Sequence, residues 1–390
     1  MNKELHLCYF DNAATSWPKP EAMITAMVDF NAHVGANPGR SGHRLSIEAS
    51  RIIFNARETV ASLLGAGDPH SVIFTRNATA GMNTVVRGLL RPGDHVITSG
   101  VEHNSVMRPL RAIETEGVKL SVIQCSGAGD ISPDDIDAAV RSNTKMIIIT
   151  QASNVTGTIM PVADIAEVAD KHGIIVCVDA AQTAGNIPIN VTRDNIDILV
   201  FSGHKSLYGP QGTGGFYIRK GLEKMMSPLE RGGTGSGSEF EEHPDFMPDR
   251  FESGTPNTIG LAGLGAGAGH VAAIGIEAIR KKETALTELF LDGIRSIRGV
   301  RVYGDMDPAK RTALVSFTID GMSPSDISFD LDERFNIMSR PGLHCAPSAH
   351  RTIGTFPAGT VRFSFGISTT EEEIKAAIRA IETLSWENQK

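Results

Sequence analysis

The sequence predicts an α/β protein with a mainly parallel sheet, followed by a smaller α+β unit. From about residue 45 to 220, short apolar runs alternate with segments of helical periodicity, which is typical of parallel sheets covered by helices. After residue 257 this alternation gives way to a long helical stretch and a few separate strands, which indicates a second unit. The composition agrees, because 390 residues with 41% hydrophobic and 21% charged side chains are ordinary for a globular chain with a sizeable core.

The strand candidates of the first region are apolar or β-branched, and several lack a polar face, as expected of strands buried on both sides. They span residues 71–75, 95–99, 118–124, 145–150, 174–178 and 196–202. The helices between them have recognisable ends. Ser132 before Pro133 is typical of a helix start, and another helix is predicted to begin at Pro161 and to end at Gly173.

An irregular segment precedes the second region. Residues 227–257 are rich in Gly, Ser, Glu and Pro, and we interpret them as an excursion over the surface or toward a partner subunit. A helical stretch, Gly-rich at first, is predicted from there to about residue 297, and strands and a last helix are predicted at 301–303, 313–318, 360–364 and 371–384. We therefore assign residues 16–257 to the large domain, and residues 1–15 and 258–390 to the smaller one.

Charge, cysteine spacing and hydropathy exclude several classes of protein. A net charge of −8 does not suit a chain that binds nucleic acid through its phosphates. No CxxC pair and no H-x3-H pair occurs, so no metal site is expected. No signal-like segment and no apolar run of membrane-spanning length is present. We therefore expect a cytoplasmic protein with reduced cysteines, without a membrane or nucleic-acid partner.

A lysine and an aspartate follow two of the strand candidates at their carboxyl ends, where open α/β sheets bind ligands. They are Lys205 and Asp179. Alone, such a lysine is usually a surface residue and such an aspartate a helix cap. Together they are what pyridoxal 5′-phosphate (PLP) requires, since the lysine forms a Schiff base and the carboxylate keeps the pyridine nitrogen protonated. The pair therefore predicts a PLP site.

Other strand ends supply the remaining groups that such a site needs. The segment 77–81 precedes a helix, and backbone N–H groups at a helix start bind phosphate. Ser202 and His204 offer side-chain donors to the same phosphate. His103 follows the strand candidate 95–99 and is placed to stack on the cofactor ring, and Asn154 is placed to reach its phenolic oxygen.

Taken together, these segments resemble the fold-type I PLP enzymes of aminotransferase class V, and most closely the cysteine desulfurase and selenocysteine lyase family. The resemblance covers essentially the whole chain in the right order. It rests on YFDNAA at 9–14, AT at 78–79, EH at 102–103, SNVTGT at 153–158, VDAAQ at 178–182, SGHK at 202–205, GTPN at 254–257, RPGLHCA at 340–346 and VR at 361–362. The segment around Cys345 is the one that points to desulfurases.

The resemblance implies a role for each matching residue. The implied catalytic residues are Lys205, which also moves protons to and from the substrate's carbons, His103 and Cys345. Arg362 and Asn154 are implied to bind the substrate, with the guanidinium on its carboxylate. The implied cofactor contacts are Asp179 at the pyridine nitrogen, His103 on the ring, Asn154 and Gln182 at the phenolic oxygen, and Ala78, Thr79, Ser202, His204 and Thr255 of the partner subunit at the phosphate.

Cys345 differs from the other cysteines, which we interpret as small buried residues. It lies in a polar, turn-prone segment beside Arg340 and His344, and nearby cations favour a thiolate. Only 17 positions separate it from Arg362 (362 − 345). This short connection resembles the compact-loop group of the family, in which an acceptor protein comes to the cysteine.

The function that follows is a homodimeric, PLP-dependent cysteine desulfurase. It would convert L-cysteine to L-alanine and pass the sulfur from Cys345 to an acceptor, as in iron–sulfur cluster biogenesis. A selenocysteine lyase, or another class V lyase or aminotransferase, is an alternative, and Cys345 favours the desulfurase over it. A non-enzymatic assembly scaffold is a third hypothesis, against which the presence of Lys205, Asp179 and Arg362 argues.

Overall fold

The computed structural model describes residues 7–39 and 41–389. Its strands are β1 (Cys8–Tyr9), β2 (Val72–Thr75), β3 (His95–Ser99), β4 (Lys119–Ile123), β5 (Thr144–Thr150), β6 (Ile175–Asp179), β7 (Ile198–Ser202), β8 (Gly214–Ile218), β9 (Val300–Tyr303), β10 (Leu314–Ile319), β11 (Ile337–Met338), β12 (Arg340–Gly342) and β13 (Thr360–Ser364). Its α-helices are α1 (Glu21–Asp29), α2 (Arg44–Leu64), α3 (Ala78–Leu89), α4 (Asn104–Glu114), α5 (Pro133–Ala138), α6 (Val162–His172), α7 (Thr258–Ile274), α8 (Ile276–Ile294), α9 (Pro324–Phe335), α10 (Pro347–Thr352) and α11 (Glu371–Asn388).

The larger sheet has seven strands in the order β2-β8-β7-β6-β5-β3-β4, and only β8 runs against the others. Its central strands are buried on both faces. In β5, Ile147 and Ile149 belong to the apolar cluster that includes α2, α6 and α7, whereas Met146 and Ile148 belong to the cluster under α3 and α4. The predicted α/β fold with a mainly parallel sheet is therefore confirmed.

The smaller sheet is antiparallel, with four strands in the order β12-β13-β10-β9. Its core contains apolar residues of α8, α9 and α11, and stacked phenylalanines such as Phe290 and Phe363, whose ring centroids are 5.3 Å apart. The N-terminal strand β1 pairs in parallel with β11, and Ser364 donates its backbone N–H to the carbonyl of Phe10. Residues 8–10 are thus attached to strands formed by the last third of the sequence.

Four strands were not expected from the sequence, namely β8 in the larger sheet and the short strands β1, β11 and β12. Strand β8 begins with Gly214 and Gly215, a pair that is more typical of a loop. Both glycines are required by close approach, because a Cβ at Gly215 would collide with the carbonyl oxygen of Ile73, and one at Gly214 would lie 2.8 Å from the Cα of Asn77. The glycines therefore let β8 pair closely with β2 and let the start of α3 approach the sheet.

The long helical stretch predicted after residue 257 is divided in two. Helices α7 and α8 meet at Gly275, which has a left-handed φ of 88°, and their axes differ by 78°. Helix α7 packs against α1 and α2, beside the larger sheet. The domain boundary at residue 257 stays a prediction. Within the described ranges no single helix combines the length and apolar character needed to cross a membrane, and α7 and α8 reach that length only as this bent pair.

Candidate active site

Four parallel strands bring the predicted site residues to one edge of the larger sheet. Strands β3, β5, β6 and β7 are neighbours in the sheet, so their carboxyl ends lie side by side. These ends are Ser99, Thr150, Asp179 and Ser202. The residues singled out from the sequence lie on these ends or within a few residues of them, with the exception of those contributed by α3, the irregular segment and the smaller sheet.

Lys205 and Asp179 are adjacent to the ends of β7 and β6. Asp179 is buried, its Oδ1 accepts the N–H of Ala181 at 2.9 Å, and burial raises its pKa although the charge of Lys205 opposes the shift. Burial lowers the pKa of the Lys205 amine to about 8, against the attraction of Asp179. A lysine with this pKa is partly neutral near pH 7, and the neutral amine is the nucleophile that attacks a carbonyl group.

His103 caps the start of α4 and is held by Ser105. The His103 Nδ1 accepts the N–H of Ser105 at 3.0 Å and lies 2.8 Å from its Oγ. Burial, with the positive charge of Lys205, lowers the pKa of His103 to about 3, so its ring is neutral at neutral pH. The Oγ of Ser105 also donates to Asp179 Oδ2 at 3.4 Å. Ser105 thereby links His103 to Asp179, and both of these residues were predicted to contact the cofactor.

The start of α3 presents backbone N–H groups at the same edge. Ala78 and Thr79 are its first residues, and the Asn77 side chain caps it by accepting the N–H of Ala80 at 2.8 Å. The first N–H groups of a helix have no partner within the helix and carry its positive dipole end. This is an arrangement that binds a phosphate.

Ser202 and His204 lie between the end of β7 and Lys205. Ser202 is buried, and the Nδ1 of His204 is buried without a hydrogen-bond partner among the described residues. Burial and the nearby charge of Lys205 lower the pKa of His204 to about 4. An unpaired buried polar atom costs about 1–3 kcal/mol, so a ligand that accepts a hydrogen bond from His204 would stabilise the site.

Gln182 and Thr255 have different surroundings. Gln182 lies one turn after Asp179, and its Nε2 donates to the carbonyl of Ala13 at 3.1 Å. Thr255 is exposed in the segment 227–257, which the structure confirms as lacking α-helices and strands, and it makes no hydrogen bond to any residue described.

Cys345 lies in a short loop between β12 and α10 that is held from two sides. The N–H of Asn104 donates to the Cys345 carbonyl at 2.8 Å, and the Asn154 Nδ2 donates to the His344 carbonyl at 2.7 Å. His344 and Cys345 have left-handed φ values of 48° and 59°, a conformation that costs about 1–2 kcal/mol per residue. The Arg340 Nη2 lies 3.7 Å from the Cys345 sulfur, and Cys345 is the one exposed cysteine of the four.

Arg362 is fully buried on β13 beside this loop. Its Nη1 donates to the Asn154 carbonyl and its Nη2 to Asp11 Oδ1, both at 3.0 Å, whereas its Nε has no partner among the described residues. Burial lowers the pKa of Arg362 to about 10, so it stays charged at neutral pH. Arg340 lies directly opposite on β12, which places two cations next to the loop of Cys345.

Sequence reasoning did not assign a role to Asp11, Asn104 or Glu102. Asp11 and Glu102 lie inside matched segments, but each has a buried partner that is distant in the chain, namely Arg362 for Asp11 and Thr150 for Glu102. Asn104 acts through its backbone, which no side-chain pattern reveals. No cluster of three or more His, Cys, Asp or Glu side chains that could hold a metal ion occurs in residues 7–39 and 41–389.

Comparisons with a family model, with curated proteins and with solved structures agree with one another. Residues 8–377 match the family model described as aminotransferase class-V. A probable cysteine desulfurase of Methanothermobacter thermautotrophicus is 34% identical over 97% of this chain and 94% of that relative. The apo structure of the cysteine desulfurase from Thermococcus onnurineus superposes with a TM-score of 0.92 at 33% identity, covering 98% and 95% of the two chains. A cysteine desulfurase structure from Escherichia coli has a TM-score of 0.85 at 30% identity, covering 97% and 94%.

Proposed function

The chain belongs to the class V aminotransferase family, and from this premise we propose that it is a PLP-dependent cysteine desulfurase. It converts L-cysteine to L-alanine and keeps the sulfur as a persulfide on Cys345. The observation that carries the proposal is the exposed thiol of Cys345, which lies beside Arg340 in a loop bonded to Asn104 and Asn154. Relatives and structural neighbours named cysteine desulfurase support it.

The residues present fit PLP, on which enzymes of this family depend. Asp179 is a buried carboxylate that suits a protonated pyridine nitrogen, and the unpaired Nδ1 of His204 and the first N–H groups of α3 suit a phosphate. We assign Lys205 to covalent attachment, His103 to ring stacking, and Asn154 and Gln182 to the phenolic oxygen. When bound, PLP withdraws electrons from the bonds at the substrate's α-carbon.

The protein's own groups then divide the work. Arg362, with its unpaired Nε, and Asn154 hold the substrate carboxylate. They thereby orient the thiol of the substrate toward the loop that carries Cys345. The Cys345 thiolate attacks the substrate sulfur, so an S–S bond forms and the substrate C–S bond breaks with its electron pair passing to carbon. The Lys205 amine moves protons at the α- and β-carbons. The balance is L-cysteine plus the Cys345 thiol giving L-alanine plus the Cys345 persulfide.

The outer sulfur of the Cys345 persulfide is then transferred to an acceptor, which must approach Cys345. The loop is short and hydrogen-bonded to α4 and to Asn154, and it contains two left-handed residues, which limits how far the thiol can move. Cys345 is exposed, so the thiol of another protein can reach it. We assign the delivery of sulfur to this encounter.

The first prediction concerns the covalent site. Protein supplied with PLP is expected to turn yellow, and borohydride is expected to fix the cofactor on the peptide that contains Lys205, as read by mass spectrometry. Lys19 is a suitable internal control, because burial lowers the pKa of its amine to about 8 as well, while its Nζ donates to Ser16 Oγ and the His204 carbonyl. A label on Lys19, or no uptake of PLP, would contradict the assignment.

The second prediction is an obligate homodimer that completes the phosphate site. Apolar side chains are exposed on α1 and α2, among them Ile24, Val28 and Ile47 at 53%, 60% and 60%. Stable dimers often bury 2,000 Å² or more, so the dimer should persist on dilution in sedimentation experiments. We assign Thr255 of the partner subunit to the phosphate.

Thr255→Ala is therefore expected to weaken PLP binding roughly ten- to a hundred-fold, since one hydrogen bond to a charged group contributes about 1.5–3 kcal/mol. Thr115→Ala, which alters another exposed threonine, at the end of α4, serves as the control. A monomer that retains PLP fully would refute the dimer, and unchanged PLP retention in Thr255→Ala would remove that residue from the site.

A further inference from the structure

A buried carboxyl group lies directly before His103 at the end of β3. Glu102 has no exposed surface. Its Oε1 accepts hydrogen bonds from the Ser99 hydroxyl at 2.6 Å and from the Thr150 N–H at 2.9 Å. Its Oε2 is buried without a partner in the described structure. A carboxyl group is seldom fully buried unless it is paired, because burying its charge is costly.

Glu102 joins two strands beyond the point where their backbones stop pairing. The ladder between β3 and β5 ends at Thr98 and Ile148. Two residues further along β5, the N–H of Thr150 donates to the Glu102 side chain rather than to the backbone of β3. The side chain therefore replaces a missing backbone partner at the edge of the sheet that carries the site.

The connection continues to the next strand. The Thr150 hydroxyl donates to the Ala152 carbonyl at 2.9 Å and is 3.5 Å from the Asp179 carbonyl at the end of β6. Ser99, Glu102 and Thr150, which we call the carboxyl brace, thus link β3, β5 and β6. His103, Asn154 and Asp179 follow or end these same three strands.

The charge of Glu102 is consistent with this arrangement. Burial, together with the negative charge of Asp179, raises the pKa of Glu102 to about 8 against the hydrogen bonds from Ser99 and Thr150. A neutral carboxylic acid accepts both hydrogen bonds without adding a second negative charge near Asp179. Glutamine at this position offers the same accepting oxygen in a neutral side chain of similar shape.

We propose that Glu102 is a positioning residue, which sets the spacing between His103, Asn154 and Asp179 through the carboxyl brace. The proposal rests on the proposed function, because those three residues are assigned to PLP there. It assigns Glu102 no contact with substrate or cofactor. Its effect is on how well the three strand ends match the cofactor.

The test uses cofactor-free protein titrated with PLP. Glu102→Ala is expected to raise the dissociation constant of PLP by roughly ten- to a hundred-fold, the size of one or two lost hydrogen bonds, and to change the absorbance and circular dichroism of the bound chromophore. Glu102→Gln is expected to stay within about threefold of the original protein, with an unchanged spectrum. Ser99→Ala, which leaves the carboxyl group in place, is expected to shift the affinity in the same direction as Glu102→Ala but less.

The matched control is Asp197, a buried carboxylate at the opposite edge of the same sheet. Its Oδ2 accepts the Val176 N–H at 2.9 Å, so it also links two neighbouring strands, β6 and β7. Asp197→Ala should lower the melting temperature of the cofactor-free protein as Glu102→Ala does, yet leave PLP affinity and the chromophore spectrum unchanged.

The outcomes separate the inference from the proposed function. If the original protein does not bind PLP, the proposed function fails and the inference fails with it. If the original protein binds PLP and Glu102→Ala binds it equally well, only the inference is overturned. Equal weakening in Asp197→Ala, or a Glu102→Gln variant as weak as Glu102→Ala, overturns it too. If Glu102→Ala does not fold, the PLP affinities of Ser99→Ala and Glu102→Gln decide. Weaker binding in Ser99→Ala with near-original binding in Glu102→Gln supports the inference, and unchanged binding in Ser99→Ala overturns it.

Discussion

Cys345→Ser is expected to lose persulfide formation and alanine release from L-cysteine completely, within the sensitivity of the assay, while PLP binding stays intact. Only a thiolate attacks divalent sulfur efficiently, and a serine hydroxyl is scarcely ionised at neutral pH. The loop itself should be preserved, because Asn154 Nδ2 and the Asn104 N–H donate to the backbone carbonyls of His344 and Cys345 rather than to the thiol. Alanine release and sulfide release, with and without reductant, measure the effect.

Cys125→Ser provides the matched control, since Cys125 is buried and burial raises the pKa of its thiol to about 11. This variant should keep its activity. Selenocysteine as substrate separates the desulfurase from the lyase alternative, because selenium can leave the activated substrate without capture by a thiol. Unchanged desulfuration in Cys345→Ser would remove Cys345 from the mechanism and with it the main reason to prefer a desulfurase.

Arg362→Ala is expected to reduce kcat/KM for L-cysteine by roughly ten- to a hundred-fold, mainly through KM. The charge-assisted hydrogen bond it would make to the substrate carboxylate contributes about 1.5–3 kcal/mol. The structure adds a second consequence, since removing the guanidinium leaves Asp11 without its partner at 3.0 Å and opens a buried space. We therefore expect a lower melting temperature as well, with unchanged PLP content.

Arg311→Lys is the control for this loss of stability. Arg311 is also fully buried, but it donates only to backbone carbonyls, among them those of Thr156 and Leu314. Arg311→Lys should lower the melting temperature and leave the KM for L-cysteine unchanged. If Arg362→Ala keeps full activity, or if both variants raise KM equally, the substrate carboxylate is bound elsewhere.

The parts of the site that could be predicted are those that local pattern determines. Asp179 and Lys205 come directly after apolar runs, and strand ends in a parallel sheet lie on one edge, so their proximity follows from the order of elements. The loop of Cys345 was recognisable from its composition, which is polar and turn-prone. Helix starts such as Ser132 were predicted because a cap is a local hydrogen bond, here from the Asp134 N–H at 3.2 Å.

The parts that could not be predicted depend on contacts between distant segments. Asp11 and Arg362 are 351 positions apart, and nothing in one sequence pairs them. Strand β8 begins with two glycines because β2 and the start of α3 approach it too closely for a side chain. This close approach exists only in the folded protein. The burial of Glu102 likewise depends on Thr150 of another strand. In each case the tertiary environment outweighs the local preference.

The attachment of the N-terminal segment to the last strands has a consequence for synthesis on the ribosome. All strands of the larger sheet are present once residue 218 has been made, but the partners of Asp11 and Ala13 are Arg362 and Ser364. At about 5–20 residues per second, adding 351 residues takes roughly 20–70 s. During that time the segment around Asp11 must wait without its partner strands, so the substrate site can be completed only after Ser364 has been made, well after the sheet that carries Lys205.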